Sequence, residues 1–176
     1  MRVNKTKLEG VLLIEPDIFN KGSGEGEVFI DERGLFLETY NKTKLKVNGI
    51  DIDFVEDDIS VSKKDVLRGI HGDDRTWKLI SCLYGSVYYV AVNCDQQSTN
   101  FGKWQSFELN DSNNHQVLVP PKHGSAYLAL SEKVIFGYKQ SSCYNHHGQF
   151  AYKWNDPRFN IKWPIEHPIL SSRDLT

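Results

Sequence analysis

The sequence predicts an all-β protein built as a jelly roll, the double-stranded β-helix form of a barrel. Three observations favour this fold class: short runs rich in Val, Ile and aromatic residues, turn residues between these runs, and few segments with a helical period. The runs recur at roughly 8–12 residues, a spacing typical of β-sandwiches and barrels. The 176-residue length suits one core, so residues 1–176 are predicted to form a single domain.

The predicted strands occupy the middle of the chain. In order, they are Trp77–Leu83, Val87–Val92, Trp104–Leu109, Gln116–Val119, Ala126–Leu130 and Val134–Lys139. The polar stretch Asn93–Gly102 is predicted to be a loop, and Asn110–Asn114 a turn. Helical structure is limited to one turn at Ser62–Leu67 and a short helix at most in the proline-containing tail 155–176.

Charge and hydropathy exclude several classes of protein. The formal net charge is -2 with both signs mixed along the chain, so no polybasic surface for nucleic acid or membranes is expected. Lys42, Lys44 and Lys46 alternate as one face of a strand would, and we interpret them as a solvated edge strand. No apolar run approaches the roughly 20 residues of a membrane helix, and the N-terminus lacks a signal-peptide apolar region. We therefore expect a cytoplasmic protein.

Three polar residues beside predicted strands are candidates for proton transfer. His71 follows a Leu-Arg-Gly-Ile run, Lys78 begins an apolar strand, and Tyr138 lies near the end of another. Taken singly, they also fit a turn or core histidine, a solvent-reaching lysine and a packed tyrosine. Together at one barrel mouth, His71 can remove a proton beside a carbonyl, Lys78 can stabilise the enolate and Tyr138 can return a proton. A regular strand would point Arg68 and His71 to opposite faces.

A metal-dependent cupin is the main competing class, because it shares the jelly-roll form. Its sites usually draw two ligands from a His-x-His pair, whereas His71 is followed here by Gly-Asp-Asp-Arg. His146 and His147 are adjacent, so they would point apart on a strand. We therefore expect no metal site and no cofactor. A sugar-binding jelly roll without catalysis remains a further alternative.

The sequence resembles the nucleotide-sugar 4-keto 3,5-epimerases over nearly its whole length. The segments that carry the resemblance are Asp31–Glu38, Val66–His71, Phe101–Trp104, Tyr138–Lys139, Trp154–Pro157, Trp163–Pro164 and Pro168–Asp174. The best-known members act on dTDP-4-keto-6-deoxyglucose in rhamnose biosynthesis. The resemblance implies a jelly-roll barrel, a nucleoside-diphosphate 4-keto sugar as substrate, and a homodimer in which N-terminal strands cross between subunits.

The resemblance also implies four catalytic residues. His71 matches the general base, and Asp174 matches the carboxylate that orients and polarises this histidine. Tyr138 matches the acid on the other face of the sugar. Lys78 matches the residue that stabilises the enolate.

Five further residues match substrate-binding positions of the family. Arg33 and Arg68 match residues that contact the diphosphate. Arg33, Phe36 and Glu38 match residues that reach the nucleotide from the partner subunit. Tyr144 matches an aromatic residue that lines the pocket.

Two departures from the rhamnose enzymes bear on the substrate. Ser125 stands where those enzymes carry a sugar-contacting histidine, and the acidic run Glu56–Asp58 replaces a Gln-Asp-Asn pattern that touches the nucleotide. The motifs Val119–Gly124 and Tyr138–Ser141 look closer to a second branch of the family, which acts on GDP-4-keto-heptoses in bacterial capsule biosynthesis. Glu56 and Asp58 suit the N–H donors of guanine. We therefore expect a GDP-4-keto-heptose, with dTDP-4-keto-6-deoxyglucose as the alternative and a 3,4-ketoisomerase as a second enzyme class.

Overall fold

The computed structural model describes residues 1–175 and contains thirteen β-strands in that range. The strands are β1 Arg2–Lys5, β2 Leu12–Glu15, β3 Val28–Asp31, β4 Gly34–Leu37, β5 Glu56–Lys63, β6 Leu67–Asp73, β7 Lys78–Tyr84, β8 Ser86–Asn93, β9 Trp104–Asn110, β10 Gln116–Val119, β11 His123–Ala129, β12 Lys133–Gln140 and β13 Gln149–Ala151. Helix α1 spans Lys42–Val47, and short 3-10 helices span His146–Gly148 and Ser172–Leu175. No helix within the described range is long and apolar enough to cross a membrane.

Two antiparallel sheets face each other and confirm the predicted jelly roll. The six-stranded sheet has the order β1-β2-β10-β7-β12-β5, the five-stranded sheet has the order β13-β6-β11-β8-β9, and β3 and β4 form a separate hairpin. The main core lies between the sheets. It includes Ile80, Tyr89, Phe107, Val117, Ala129 and Phe136.

Both outer faces are partly covered by other segments. The C-terminal segment packs Phe159 and Trp163 on the five-stranded sheet against Val90 and Ala126. Helix α1 and the loop after it pack on the six-stranded sheet, where Leu45 joins Ile14, Ile50, Leu79 and Leu118. Segments outside the two sheets therefore pack on the outer face of each sheet.

The six strands predicted in the middle of the chain correspond to β7–β12. Their runs of Val, Ile and aromatic residues between turns gave a clear signal, as in β12, where Val134 and Phe136 point into the core. The helical turn predicted for Ser62–Leu67 is wrong, because β5 continues to Lys63 and β6 begins at Leu67. Thr176, at the end of the predicted domain and tail, lies outside the described residues.

The edge strand predicted for the three lysines is also wrong, because they lie on helix α1. Asn41 caps this helix, and its side chain accepts a hydrogen bond from the Lys44 amide at 3.1 Å. Leu45 is buried and holds the helix against the sheet. Lys42 and Lys46 pair with carboxylates that follow the helix, a local charge pattern that strand alternation alone did not reveal.

Candidate active site

One cavity collects the residues predicted to transfer protons. It has a volume of about 280 Å³ and lies between the two sheets, with walls from β5, β6, β7, β8, β11 and β12 and from the C-terminal segment. Its lining includes four predicted catalytic residues and two predicted binding residues, namely His71, Lys78, Tyr138, Asp174, Arg68 and Ser125. His71 comes from the five-stranded sheet, whereas Lys78 and Tyr138 come from the facing sheet.

Arg68 and His71 share this cavity because β6 is not a regular strand. On β11, Ser125 pairs with His71 and Tyr127 pairs with Arg68, so two steps along β11 oppose three steps along β6. The extra residue makes a β-bulge, which turns both side chains to one face. Gly69 lies in the bulge with φ 121°, and a Cβ at this position would collide with β11.

His71 and Asp174 form a close pair at the base of the cavity. His71 Nε2 lies 3.0 Å from Asp174 Oδ1, and the Asp174 side chain is only 2% exposed. The contact has the distance of an ion pair but not the angle of a good hydrogen bond, and Nε2 has no other partner among residues 1–175. Because Nε2 faces the carboxylate, Nδ1 is the ring nitrogen left to accept a proton.

Backbone and side-chain donors hold the Asp174 carboxylate in place. The Gly69 amide donates to Oδ1 at 3.1 Å, and Ser171 donates to Oδ2 from its hydroxyl at 2.5 Å and its amide at 3.2 Å. Burial by itself raises the pKa of Asp174, but the contacts with His71, Ser171 and Gly69 outweigh burial and lower the pKa to about 2. Asp174 is therefore a carboxylate at neutral pH and can accept a hydrogen bond from the His71 ring.

Lys78 and Tyr138 lie on the wall that faces His71, and burial shifts both of their pKa values. Burial lowers the pKa of the Lys78 ammonium, an effect that the charges of Asp73 and Asp58 oppose. Burial also raises the pKa of Tyr138, and the carboxyl groups of Asp58 and Glu56 raise it further. Tyr138 is consequently a phenol at neutral pH and has a proton to donate.

Neither Glu56 nor Asp58 lines the cavity that contains His71, although Asp58 lines a neighbouring cleft together with Tyr138. Asp58 is the cross-strand partner of Tyr138, and Glu56 is the partner of Gln140. The buried Gln140 amide donates to Glu56 at 2.6 Å and to Asp58 at 2.9 Å. Burial raises the pKa of Asp58, and the neighbouring carboxylate of Glu56 adds to this rise. Glu56 and Asp58 therefore lie beside Tyr138, the predicted acid, and both already accept a hydrogen bond from Gln140.

Tyr144 lies beyond the cavity, in the loop that follows β12. Its side chain is 51% exposed, and its amide donates to Glu56 Oε2 at 2.9 Å. It lines a small cleft with Asp73 and Thr76 rather than the cavity that contains His71. The contact with Glu56 nevertheless places this loop at the edge of the site.

The residues predicted to act from a partner subunit do not reach the cavity of their own chain. Arg33 and Phe36 lie on the β3–β4 hairpin, where Phe36 is 69% exposed and Arg33 pairs with Asp31 at 2.6 Å. Glu38 lines a second cavity of about 340 Å³, with Oε2 2.7 Å from Lys44 Nζ. This cavity is larger but contains none of the four predicted catalytic residues, so we place the candidate site in the smaller one.

Sequence reasoning missed several residues that line the candidate site. They are Ser60, Tyr89, Ser171 and Arg173. Ser60 could have been found from strand alternation, since it lies two residues from Asp58, a predicted site residue. Tyr89, whose hydroxyl lies 2.7 Å from Ser125 Oγ, is recognisable in the sequence only as a core aromatic residue. Within the described range, no group of three or more His, Cys, Asp and Glu side chains could hold a metal ion.

The chain is similar to known sugar-nucleotide enzymes in both sequence and structure. A family model described as dTDP-4-dehydrorhamnose 3,5-epimerase matches residues 5–176. The dTDP-4-dehydrorhamnose 3,5-epimerase of Methanothermobacter thermautotrophicus is 35% identical over 178 residues, which cover 98% of this chain and 91% of that protein.

Two solved structures extend the similarity to the fold. The dTDP-4-dehydrorhamnose 3,5-epimerase of Elizabethkingia anophelis is 38% identical with a TM-score of 0.84, covering 99% of this chain and 93% of that one. The dTDP-6-deoxy-D-glucose-3,5-epimerase of Legionella pneumophila, in complex with dTDP-4-keto-L-rhamnose, is 31% identical with a TM-score of 0.88 and covers 99% and 89%. All of these relatives are named for dTDP-linked sugars, and they give no support to the expected GDP-heptose branch.

Proposed function

Because this chain belongs to the dTDP-4-dehydrorhamnose 3,5-epimerase family of isomerases, we propose that it inverts carbons beside the ketone of a dTDP-linked 4-keto-6-deoxy sugar. One observation carries the proposal: the His71–Asp174 pair and Tyr138 lie on facing walls of one cavity, with Lys78 beside them. Inversion needs a base and an acid on opposite faces of the same carbon, and this arrangement supplies both.

The proposed reaction proceeds through an enolate. The C4 ketone acidifies the protons on C3 and C5, and His71 Nδ1 takes one of them while Asp174 holds the opposite ring nitrogen. The C–H electron pair moves into the new C=C bond, and negative charge collects on the ketone oxygen near the Lys78 ammonium. Tyr138 then donates its phenolic proton from the other face. To complete the cycle, His71 gives its extra proton to water and the Tyr138 phenolate takes a proton from water.

Arg68 and the hairpin residues are proposed to bind the nucleotide diphosphate. The Arg68 side chain is exposed at the edge of the cavity, as a phosphate-binding guanidinium needs to be. We propose that Arg33, Phe36 and Glu38 contribute to the cavity of a second subunit in a homodimer with exchanged N-terminal strands. The hairpin supports this, because Ile30 and Leu35 are 63% and 56% exposed and form an apolar face on one chain.

The nucleotide is expected to be dTDP rather than GDP. Glu56 and Asp58 remain the one feature that favours guanine, and GDP-4-keto-heptose is kept as the second candidate on that ground. Both carboxylates, however, accept hydrogen bonds from Gln140, and Asp58 faces Tyr138, the proposed sugar end of the cavity. Calorimetric titration with dTDP and GDP in one buffer should give the lower Kd for dTDP, and Glu56→Gln should not change this order. A GDP affinity more than about tenfold higher would overturn the choice.

Tyr138 is expected to act on one of the two carbons. Ser125 and Tyr127 both line the cavity, so a bound sugar is expected to contact the short hydroxyl side chain of Ser125 and the large ring of Tyr127. We predict that Tyr138→Phe leaves deuterium exchange at C3 largely intact and removes inversion at C5. NMR of a dTDP-4-keto-6-deoxy sugar in D₂O resolves the two positions. Equal slowing at C3 and C5 in the variant would contradict this division, although the role of His71 would stand.

A further inference from the structure

Three hydroxyl groups and one guanidinium form a continuous chain of hydrogen bonds in the cavity wall. Arg68 Nε donates to Ser62 Oγ at 3.1 Å, and Ser62 Oγ lies 2.9 Å from the Tyr127 hydroxyl. The Tyr127 hydroxyl in turn lies 2.8 Å from Ser60 Oγ. Ser62 and Tyr127 are both buried, so water does not replace these bonds.

Arg68 fixes the direction of this chain. A guanidinium has donors but no acceptor, so Ser62 Oγ must accept from Arg68, and the Ser62 proton needs another acceptor. Within the described range, the Tyr127 hydroxyl is the one further hydrogen-bond partner of Ser62 Oγ. A buried hydroxyl proton without an acceptor is costly, so Ser62 donates to Tyr127. The single proton of Tyr127 is then donated to Ser60.

Ser60 ends the chain with a proton that is still available. Its hydroxyl accepts from Tyr127, and residues 1–175 offer it no other hydrogen-bond partner. Ser60 lines the cavity. Strand alternation puts it on the same face of β5 as Asp58, which is opposite Tyr138. The hydroxyl can therefore donate to a molecule bound beside the proposed acid.

We propose that Ser60 is a substrate-binding residue whose hydroxyl donates to a phosphate oxygen of the sugar nucleotide, with Tyr127 and Ser62 as positioning residues. This inference rests on the proposed function, because it takes the bound molecule to be a nucleoside-diphosphate sugar. Because the Ser60 hydroxyl is held as a donor, it favours a ligand oxygen that can only accept a hydrogen bond. Sugar hydroxyls can turn to donate or accept, whereas phosphate oxygens only accept, and the sugar ketone is assigned to Lys78.

The two ends of the chain suit the same anionic group. Arg68 uses Nε for Ser62, which leaves its two terminal nitrogens as donors for a phosphate. At the other end, Ser60 adds a donor whose polarity is set by the same arginine. Hydrogen bonds in series polarise one another, so the phosphate, Ser60 and Arg68 should strengthen each other's contacts.

The Tyr127 ring is held independently of its hydroxyl. It stacks on Phe136 with ring centroids 4.1 Å apart and planes 21° apart. Tyr127→Phe should therefore keep the packing of the cavity wall and remove only the hydroxyl in the middle of the chain.

The test is the affinity for dTDP, measured by calorimetry on wild type, Ser60→Ala, Tyr127→Phe and the double variant. Ser60→Ala should raise Kd by about tenfold, the size of a lost hydrogen bond to a charged acceptor. Tyr127→Phe should raise Kd by no more than this factor, because Ser60 keeps its hydroxyl and loses only its fixed direction. The double variant should be no weaker than Ser60→Ala, because Tyr127 is proposed to act only through the Ser60 hydroxyl. With the full substrate, KM should rise while kcat for deuterium exchange stays within about twofold.

Two control variants separate this role from a loss of stability. Ser60→Thr keeps a hydroxyl at the position and should bind dTDP nearly as well as wild type. Tyr88→Phe removes a tyrosine hydroxyl that donates to the Lys162 carbonyl at 3.1 Å, outside the cavity. It should leave the Kd for dTDP unchanged.

Unchanged dTDP affinity in Ser60→Ala, or additive losses in the double variant, would overturn the inference. Unchanged dTDP affinity combined with a raised KM would place the bond on the sugar and overturn the phosphate assignment. If wild type binds neither dTDP nor GDP, the proposed function fails as well. If wild type binds dTDP and Ser60→Ala has no effect, only the role of Ser60 is lost.

Discussion

Replacement of His71 by asparagine is expected to lower kcat by about 10²–10⁴-fold, the usual contribution of a positioned acid or base. Asparagine is similar in length and polar, but its amide cannot accept a proton at neutral pH. The Kd for dTDP should change little, since the proposed phosphate contacts come from Arg68 and Ser60. Steady-state kinetics and deuterium exchange at C3 and C5 both measure the loss.

The matched control is His115→Asn. His115 Nε2 lies 3.6 Å from Glu15 Oε1, so this substitution also removes a histidine beside a carboxylate, but outside the candidate site. It should leave kcat unchanged. A His71→Asn variant that retains more than half of the wild-type deuterium exchange would exclude His71 as the base.

Asp174→Asn is expected to lower kcat by about 10²-fold or more, because a neutral amide neither holds the required tautomer nor stabilises the imidazolium that forms. Both carboxylate oxygens accept hydrogen bonds, Oδ1 from Gly69 and Oδ2 from Ser171, so the NH₂ group introduced by the substitution would also face a donor. The loss should appear in kcat rather than KM. A raised KM with normal kcat would mean that Asp174 only shapes the cavity.

The lowered pKa of Asp174 also predicts how stability depends on pH. Folding lowers this pKa from 3.8 to about 2, so the carboxylate stabilises the folded state fully above about pH 4. That contribution is lost as the pH falls from about 4 towards 2. The deficit of Asp174→Asn in free energy of unfolding, measured in urea, should therefore be larger at pH 7 than at pH 3. An equal deficit at both values would contradict the assigned pKa.

The sequence predicted the fold well where strands are apolar and alternate. Strands β7–β12 supply both faces of the core, and their pattern is visible without neighbours. The other strands were not predicted, because a polar strand such as β5, which spans eight residues and has Glu56 and Asp58 facing inward, lacks an apolar signal. Lysines at alternate positions indicated a strand, but the Asn41 cap and the apolar contact of Leu45 produced a helix.

The candidate site was only partly predictable from local pattern. His71, Lys78 and Tyr138 stand out as polar residues beside β-runs, and the structure brings them to one cavity. Regular strand alternation wrongly places the Arg68 and His71 side chains on opposite faces of β6. The bulge that brings them to one face arises from pairing with β11, and its only trace in the sequence is a glycine. Asp174 was assigned through the family resemblance, since nothing near it in the chain indicates that it approaches His71.

The proposed role of His71 is to remove a proton from a carbon beside the ketone of a nucleotide-linked sugar. The most direct measurement is NMR of dTDP-4-keto-6-deoxyglucose incubated with the wild-type protein in D₂O, with the GDP-linked 4-keto sugar as a parallel sample. We expect deuterium at C3, with inversion of configuration, and slower deuterium uptake at C5. A sugar-binding protein without catalysis would return the sugar unlabelled. Recovery of both sugars without deuterium, from protein that binds them, would contradict the role of His71 as a base.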